Sequence, residues 1–348
     1  MGNSFPLTQF SRRPTIDDVA RRAGVSPAAV SLAVNGRPGV GEDTRARVLQ
    51  AARDLGWRPS ASARALTEAR TRAIGLVLER DPAHLEVDSF FVRFLSGVER
   101  ALAPADYALL LQLVPPGGAS AGGAYQRLAA AGRVDGFLLT DVEVSDPRFE
   151  LLQAAGLPAV IAGRPVAEAP FGWVETEHAK GMSAAVEHLV ALGHERVAFV
   201  GGLAEHEHVQ ARLACWRATL AATGVEEGAV VHAEPSGVAA ERALEGNPTA
   251  VACTSDVLAL ALIAAARERG LDVPGDVSVT GFDDSPLAAL SSPPLTSVRV
   301  DYAEFGEAAA AALLAAIGGD PAPEYVPSPP ELIERASSGP PRHEGTTS

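Results

Sequence analysis

The chain is poor in cysteine and has no long apolar run. Its two cysteines, Cys215 and Cys253, each lie within an apolar stretch, and neither belongs to a paired motif. This usage is typical of a reducing cytosol and excludes a disulfide framework. No apolar run reaches the length of a membrane span, and the N-terminus has no signal-peptide core. We therefore expect a cytoplasmic protein that does not enter a membrane.

Motifs for phosphate and metal binding are also missing. Two glycine clusters, at residues 113–118 and 201–206, lack the Lys-Ser/Thr pair that completes a phosphate-binding loop. His206 and His208 stand two residues apart without a cysteine partner. We interpret them as part of a solvated loop rather than a zinc site. The sequence predicts a protein that is not an enzyme and holds no metal or cofactor.

Positive charge is scarce in most of the chain and concentrated at its start. Residues 1–72 contain 12 arginines and 6 acidic residues, a net charge of +6, whereas the remaining residues have a net charge of −20. Double-stranded DNA presents dense negative charge, so a compact basic head could bind it while an acidic body faces away.

The basic segment has the pattern of two short helices joined by a tight turn. Thr15 can cap a first helix together with Asp18, and Gly24 can end it in a left-handed conformation. Ser26 then caps a second helix, with Pro27 at the first helical position. Apolar residues recur at helical spacing in both segments, at Ile16, Val19, Ala20, Ala23, Ala29, Val30, Ala33 and Val34.

Such a pair of helices forms a helix-turn-helix, whose second helix fits the major groove of DNA. A helical hairpin that only packs is the alternative that the pattern alone leaves open. A third helix is predicted from about Glu42 to Leu55, and its arginines Arg45, Arg47 and Arg53 could meet phosphates. The positions expected at the DNA are Thr15, Ser26, Pro27, Ala28, Ser31, Leu32 and Asn35.

The head and the body together carry an ordered set of matches to a known family. The matching residues are T-I-D-D-V-A-R-R-A-G-V-S-P-A-A-V-S-L-A-V-N-G from Thr15, then W-R-P-S-A-S-A-R-A-L at residues 57–66, then I-G-L-V-L and P-P-L-T-S-V-R-V-D. With these residues the chain resembles the lactose-repressor family of bacterial transcription regulators over nearly all of residues 14–335.

This resemblance implies a hinge after the head. In the family, the segment that matches residues 59–66 becomes helical on operator DNA and wedges a leucine into the minor groove. Leu66 occupies that position here, and Ala63 occupies the small position that faces DNA. An apolar wedge of this kind unstacks and kinks a duplex. A flexible linker is the alternative interpretation of the same residues.

One position of the second helix departs from the family pattern. Family members commonly have Arg where Leu32 stands, and a bidentate Arg–guanine contact is a strong source of base discrimination. Leu32 offers only apolar contact, and Pro27 and Ala28 have no side-chain hydrogen-bonding group. We therefore expect sparse direct readout, with more specificity from Ser31, Asn35 and DNA shape.

After residue 73, apolar runs alternate with helical patterns, as in parallel-sheet folds. The predicted fold is an N-terminal all-α helix-turn-helix head with a hinge helix, then an α/β two-lobed periplasmic-binding-protein-like body of two Rossmann-like parallel-sheet subdomains. The expected boundaries are a disordered tail at 1–13, the head at 14–58, the hinge and linker at 59–72, the body at 73–336 and a disordered tail at 337–348. Predicted strands lie at residues 74–78, 107–112, 136–140, 159–163, 197–201, 250–253 and 277–282.

A small-molecule effector is expected in the cleft between the lobes, at the carboxyl ends of the strands. The resemblance assigns Trp216 as an aromatic residue that stacks on the effector. Trp216 as plain core, Asp256 as a helix N-cap and Arg212 as a structural ion pair are the alternatives. Aromatic faces with carboxylates suit polyols. The candidate contacts are Phe91, Asp141, Arg212, Trp216, Ser255, Asp256 and Asp283.

The identity of the effector and of its response stays open at this level. The segment T-E-H-A-K-G at 176–181 and Ser183 both depart from effector-binding residues of the family. A sugar is the first expectation, and a nucleoside or purine that acts as corepressor is the alternative. The chain has no additional C-terminal leucine-rich helix, so we expect a homodimer on a palindromic double-stranded operator. A solute-binding receptor would suit the body alone, but the head opposes it.

Overall fold

The computed structural model describes residues 12, 14–58, 70–80, 89–115, 120–165, 168–232 and 242–342. Its contacts divide the chain into two compact units, Met1–Thr71 and Arg72–Ser348. The hinge predicted at residues 59–66, with Ala63 and Leu66, lies outside the described residues.

The described part of the first unit contains three helices, which begin where the sequence predicted: α1 (Ile16–Ala23), α2 (Pro27–Val34) and α3 (Glu42–Leu55). The Asp18 carboxylate accepts hydrogen bonds from the backbone N–H and the hydroxyl of Thr15, both at 2.8 Å. The Ser26 hydroxyl accepts from the backbone N–H of Ala29 at 3.2 Å. Side chains next to each helix in the sequence therefore fix where α1 and α2 begin.

The core of this unit is small and built from valine and alanine. Val19, Val30 and Val48, one from each helix, have no exposed surface. Ala33 is also buried, whereas Ala29 and Val34, which were predicted inward, are only half-buried. Within α2, Pro27 and Ala28 are the exposed residues.

The second unit begins with a five-stranded sheet in which every pair is parallel. The strand order is β2-β1-β3-β4-β5. The strands are β1 (Ala73–Glu79), β2 (Ala108–Val114), β3 (Gly136–Leu139), β4 (Ala159–Ala162) and β5 (Gly172–Val174). In the described residues, the helices between these strands are α4 (Ser89–Leu102), α5 (Ser120–Ala130) and α6 (Arg148–Ala155), with a 3-10 turn at Ala103–Ala105.

A six-stranded sheet forms the second lobe, in the order β11-β10-β9-β8-β6-β7. Only β11 is antiparallel to its neighbour. The strands are β6 (Arg196–Gly201), β7 (Glu226–His232), β8 (Ala250–Cys253), β9 (Ser278–Phe282), β10 (Thr296–Arg299) and β11 (Glu331–Ile333). The helices with described bounds that precede β10 are α7 (His178–Ala191), α8 (Glu207–Thr223), α9 (Asp256–Glu268) and α10 (Pro286–Leu290). Two parallel-sheet lobes confirm the predicted fold class.

The chain passes between the lobes three times, because the helix α11 (Tyr302–Gly318) follows β10 but packs on α4 and the first sheet. Glycines bring α4 and α11 into backbone contact. A Cβ at Gly97 would lie 1.8 Å from the Ala303 carbonyl oxygen, and one at Gly306 would lie 2.1 Å from the Phe94 carbonyl oxygen. Because neither helix can move away without losing this packing, α11 is part of the first lobe.

The prediction of a disordered tail from residue 337 is wrong for residues 337–342. Ser337 has no exposed surface; its hydroxyl donates to the Val279 carbonyl at 2.6 Å and accepts from the Thr296 backbone N–H at 2.8 Å. The Gly339 carbonyl lies 3.0 Å from Nε2 of His194. The short polar side chains of this segment, which are typical of a tail, here complete the hydrogen bonding of the second sheet.

Within the part of the chain that the structure describes, no helix is long and apolar enough to cross a membrane.

Candidate DNA-reading surface and effector cleft

The outer side of α2 carries the residues predicted to read DNA. Pro27, Ala28 and Asn35 are exposed, while Ser31 and Leu32 are half-buried. The amide nitrogen of Asn35 lies 3.4 Å from the Ser31 hydroxyl. The polar side-chain groups on this side of the helix are therefore one amide and one hydroxyl, held next to each other.

Leu32 contributes to the fold of the head as well as to its outer surface. The Leu32 carbonyl accepts from the Arg37 backbone N–H at 3.0 Å, and a Cβ added to Gly39 would lie 3.4 Å from a Leu32 methyl. Arg45 donates to the Arg37 carbonyl at 2.9 Å. Arg45, which was predicted as a phosphate contact, thus also holds the loop between α2 and α3, whereas Arg47 and Arg53 are exposed.

The second unit contains a cavity of about 420 Å³ at the carboxyl ends of strands from both lobes. Five of the seven residues predicted to contact an effector line it: Asp141, Arg212, Ser255, Asp256 and Asp283. The first lobe supplies Asp141, and the second lobe supplies the other four. A ligand in this cavity can therefore touch both lobes at once.

The two aromatic predictions are corrected by the structure. Trp216 has no exposed surface and packs on Phe199, with ring centroids 5.7 Å apart. Phe91 is equally buried, under the Arg80 guanidinium at 4.6 Å. Phe90 lines the cavity instead, edge-on to the Tyr302 ring at 4.8 Å.

Helical periodicity could have corrected both assignments. Phe91, Phe94, Val98 and Leu102 share one face of α4, and all of them are buried. Trp216 lies in the same way on the buried face of α8, with Val209, Leu213 and Leu220. An aromatic residue that continues an apolar stripe at this spacing belongs to the core.

Asp256 and Ser255 have distinct roles at the start of α9. Ser255 is the N-cap, since its hydroxyl accepts from the Leu258 backbone N–H at 3.3 Å. The Asp256 carboxylate accepts from the Ser285 backbone N–H at 2.6 Å and from the Ser297 hydroxyl. Burial raises the pKa of Asp256, although these hydrogen bonds oppose the shift. The alternative that Asp256 caps the helix is therefore wrong, and its carboxylate ties α9 to the loop after β9.

Asp283 follows β9 in a left-handed backbone conformation, with φ of 107°. Its carboxylate accepts from the Tyr302 hydroxyl at 2.7 Å. Burial, with the Asp283 carboxylate, raises the pKa of Tyr302, so the phenol stays protonated and donates. This bond joins the second lobe to the first residue of α11.

Arg212 is buried beneath the cavity, and no carboxylate of the described residues is in hydrogen-bond contact with it. One guanidinium nitrogen donates to the Thr254 carbonyl at 2.7 Å, and the guanidinium carbon lies 3.8 Å from the centre of the Phe282 ring. The Arg212 guanidinium therefore contacts a backbone carbonyl and an aromatic ring rather than the carboxylate of a structural ion pair.

Four polar atoms of the cavity wall are buried without a hydrogen-bond partner among the described residues. They are Oγ1 of Thr140, Nδ1 of His178, Nε of Arg212 and Oγ of Ser285. Burial, with the nearby Arg212 charge, lowers the pKa of His178 to about 3, so its imidazole is neutral near pH 7. Buried polar groups normally find partners, since an unmet hydrogen bond costs about 1–3 kcal/mol. Thr140, His178 and Ser285 were not predicted as site residues.

Asp141 is held in place by an arginine of the same lobe. A guanidinium nitrogen of Arg80 lies 2.9 Å from both oxygens of its carboxylate. Burial alone would raise the pKa of Asp141, but Arg80, His206 and His208 lower it to about 2. Asp141 is therefore ionised at any physiological pH.

The prediction that His206 and His208 lie in a solvated loop is wrong. His206 is the N-cap of α8, and His208 is in its first turn. Both line the cavity, with ring centroids 5.4 Å apart. The sequence predicted Asp141 as an effector contact but could not show that the fold places it beside these histidines.

Hydrogen bonds join the lobes at two sides of the cavity. The Glu207 backbone N–H donates to the Val142 carbonyl at 2.9 Å, next to a single antiparallel bridge between Glu143 and His206. On the other side, Arg93 of α4 donates to the carbonyls of Asp283 and Asp284 at 3.0 and 2.7 Å. The two lobes therefore contact each other on two sides of the cavity.

Comparison with known proteins agrees with this architecture. The model of the bacterial regulatory proteins of the lacI family matches residues 15–60, and that of the periplasmic binding protein-like domain matches residues 186–338. The HTH-type transcriptional regulator MalR of Streptomyces coelicolor is 39% identical, over 92% of this chain and 95% of its own length. The chain belongs to the LacI family. It is a ligand-responsive transcription regulator that binds DNA through its helix-turn-helix, as the sequence predicted.

Two solved structures of transcription regulators are similar to this chain over most of its length. The complex of the transcriptional regulator CelR with cellobiose has a TM-score of 0.71 and 30% identity, covering 94% of this chain and all of that one. The lac repressor dimer bound to operator and the anti-inducer ONPF has a TM-score of 0.81 and 26% identity, with the same coverage. These relatives are transcription regulators rather than enzymes.

Proposed function

We propose that this LacI-family regulator is a cytoplasmic, non-enzymatic repressor whose effector is a sugar, and that the sugar bound in the cleft releases a homodimer from a palindromic operator. The observation that carries the proposal is the set of unpartnered polar atoms around the cavity. The relative solved with cellobiose supports the same ligand class.

The polar atoms of the cavity wall suit hydroxyl groups in particular. Nε of Arg212 can only donate a hydrogen bond, the carboxylate of Asp141 can only accept, and the hydroxyls of Thr140 and Ser285 can do either. A sugar hydroxyl donates and accepts at the same oxygen. A polyol can therefore satisfy several of these groups at once, from several directions, whereas a planar purine presents its polar atoms only at its edge.

Aromatic side chains complete the match to a sugar. Phe90, Tyr302 and Phe305 line the cavity beside these polar groups. Aromatic rings pack well against the C–H surfaces of sugars while the polar groups bind the hydroxyls. The volume of about 420 Å³ lies within the range of small-molecule sites, about 300–1,000 Å³.

The response to the sugar follows from the position of the cavity between the lobes. A ligand shifts an equilibrium between two arrangements only through its different affinity for them. A sugar that touches Asp141 in one lobe and Arg212 in the other favours the arrangement in which the lobes meet. We propose that this arrangement holds the two DNA-binding heads of the dimer in a spacing unsuited to the operator.

The experiment combines a ligand screen with operator binding. The operator is first selected from random duplexes with the full-length protein, and thermal unfolding is then followed with monosaccharides, disaccharides, purine bases and nucleosides. A ligand at about 100 times its Kd stabilises the folded state by about 2.7 kcal/mol. We expect a sugar to raise the Tm and to lower the affinity for the labelled duplex in fluorescence anisotropy.

Two results would contradict the proposal in different ways. Stabilisation by a purine or nucleoside, with no response to any sugar, refutes the ligand class. A sugar that raises the Tm and tightens operator binding refutes release and makes the sugar a corepressor.

A further inference from the structure

Three side chains with metal-binding atoms converge on the wall of the cavity. One ligand atom from each of Asp141, His206 and His208 lies within 4.8 Å of the other two. Ligand atoms bound to one metal ion at about 2.1 Å lie roughly 3.4 Å apart in a tetrahedral site, so small side-chain rotations would suffice. We propose that these three residues form a binding site for a divalent transition-metal ion of the zinc class, which joins the two lobes.

The backbone around this site is held on both sides. Asp141 directly precedes Val142, whose carbonyl accepts from the Glu207 backbone N–H, and Glu207 lies between the two histidines. The β-bridge between Glu143 and His206 holds the same two backbone segments together. The three side chains therefore meet because the backbone places them together.

The types of ligand select the class of metal. Imidazole nitrogens together with a carboxylate oxygen suit zinc and neighbouring transition metals, whereas calcium and magnesium prefer oxygen ligands alone. With three protein ligands, the fourth position of a tetrahedral site is open to the cavity that all three residues line. All three are half-buried, so an ion can reach them from solvent.

Arg80 supports the site and does not block it. Its guanidinium binds both oxygens of the Asp141 carboxylate. A carboxylate has about four lone-pair positions, so it can keep this partner and still bind a metal ion. Hydrogen bonds to ligating carboxylates are the usual means of orienting them. The cavity wall also carries more acidic than basic residues among those described, with Glu79, Asp141, Asp256 and Asp283 against Arg80 and Arg212.

The test uses full-length protein without a histidine tag, freed of metal with a chelator and titrated with Zn²⁺ by calorimetry. Co²⁺ provides a second readout, since its visible absorption reports ligands bound directly to the metal. We expect one site per chain and a loss of at least 10-fold in affinity in each of Asp141→Asn, His206→Gln and His208→Gln. His188→Gln is the matched control, since His188 is a half-buried histidine of the same lobe that bonds to Ser338 instead.

Thermal unfolding of each variant shows whether it is folded. If Asp141→Asn unfolds, His206→Gln still tests the site, because it alters less of the buried structure. No stoichiometric binding of Zn²⁺ or Co²⁺ by the wild-type protein overturns the proposal. Binding that survives the double change His206→Gln with His208→Gln, or that His188→Gln weakens equally, also overturns it. A response to sugars in the same preparation is independent of these outcomes, because the metal site does not rest on the identity of the effector.

Discussion

Thr140 and Thr280 form a natural pair for testing whether the unpartnered groups of the cavity serve a ligand. Both side chains are buried, at 2% and 0% exposure, and neither hydroxyl has a hydrogen-bond partner among the described residues. Thr140 lines the cavity, whereas Thr280, within β9, does not. Valine has nearly the same shape as threonine, so Thr140→Val and Thr280→Val each remove one hydroxyl and little else.

The magnitudes follow from the missing partners. Removing an unpartnered buried hydroxyl loses no hydrogen bond in the unliganded protein, so the free energy of unfolding should stay unchanged or rise by about 1 kcal/mol in both variants. A hydrogen bond from Thr140 to a bound sugar is worth about 0.5–1.5 kcal/mol, which corresponds to roughly a 2- to 10-fold change in Kd. Thr280→Val should leave this Kd unchanged.

Two assays measure these effects. Urea unfolding gives the stability of each variant, and calorimetric titration gives the Kd for the sugar found in the screen. The reasoning is refuted if both variants change the Kd alike, or if Thr140→Val leaves it at the wild-type value. A loss of stability in Thr140→Val would show that its hydroxyl has a partner within the protein.

Three further predictions concern other parts of the molecule. Leu32→Arg should add a preference for guanine at one operator position, worth about 1–3 kcal/mol. Selection from random duplexes measures this preference, and an unchanged consensus would show that the side chain does not reach DNA. Asp141→Asn should lower the free energy of unfolding by about 2 kcal/mol near pH 7, because the pKa of Asp141 is lowered to about 2 in the folded state. A carboxyl group with a lowered pKa stabilises the folded state at pH values above its ordinary pKa of 3.8. Urea unfolding should therefore show the stability difference between Asp141→Asn and the wild-type protein shrinking as the pH falls from about 4 towards 2. A stability difference constant over that range would be inconsistent with the ion pair. Gly306→Ala should lower the free energy of unfolding by about 1–3 kcal/mol or more, and with it the Tm, through overpacking against Phe94. Gly172→Ala should not, because no atom lies within 4 Å of its new Cβ.

The elements that the sequence predicted well are those fixed by neighbouring residues. Thr15, Ser26 and the left-handed Gly24 and Gly56 set the ends of the head helices through contacts a few residues long. The alternation of apolar strands and helices likewise predicted two parallel sheets. Four strands were missed, because pairing with a neighbouring strand defines them: β5, β7, β10 and β11.

The candidate site could be predicted less well from the sequence, because it depends on contacts between distant residues. Asp141 lies far along the chain from His206 and His208, so no spacing in the sequence could bring the three together. Trp216 was assigned by resemblance, and the structure shows that the same position here fills the core. The unpartnered hydroxyls of Thr140 and Ser285 leave no trace in a sequence pattern, since serine and threonine are common in every kind of segment.

The crossing of α11 into the first lobe has a consequence for how the protein is made. The first lobe cannot complete its packing until Tyr302–Gly318 has been synthesised, since Gly97 and Gly306 place α4 and α11 in backbone contact. Domains usually fold from the N-terminus onward as the chain leaves the ribosome. Here the second lobe up to β10 is synthesised before the first lobe has its last helix, so most of one lobe leaves the ribosome while the other is still incomplete.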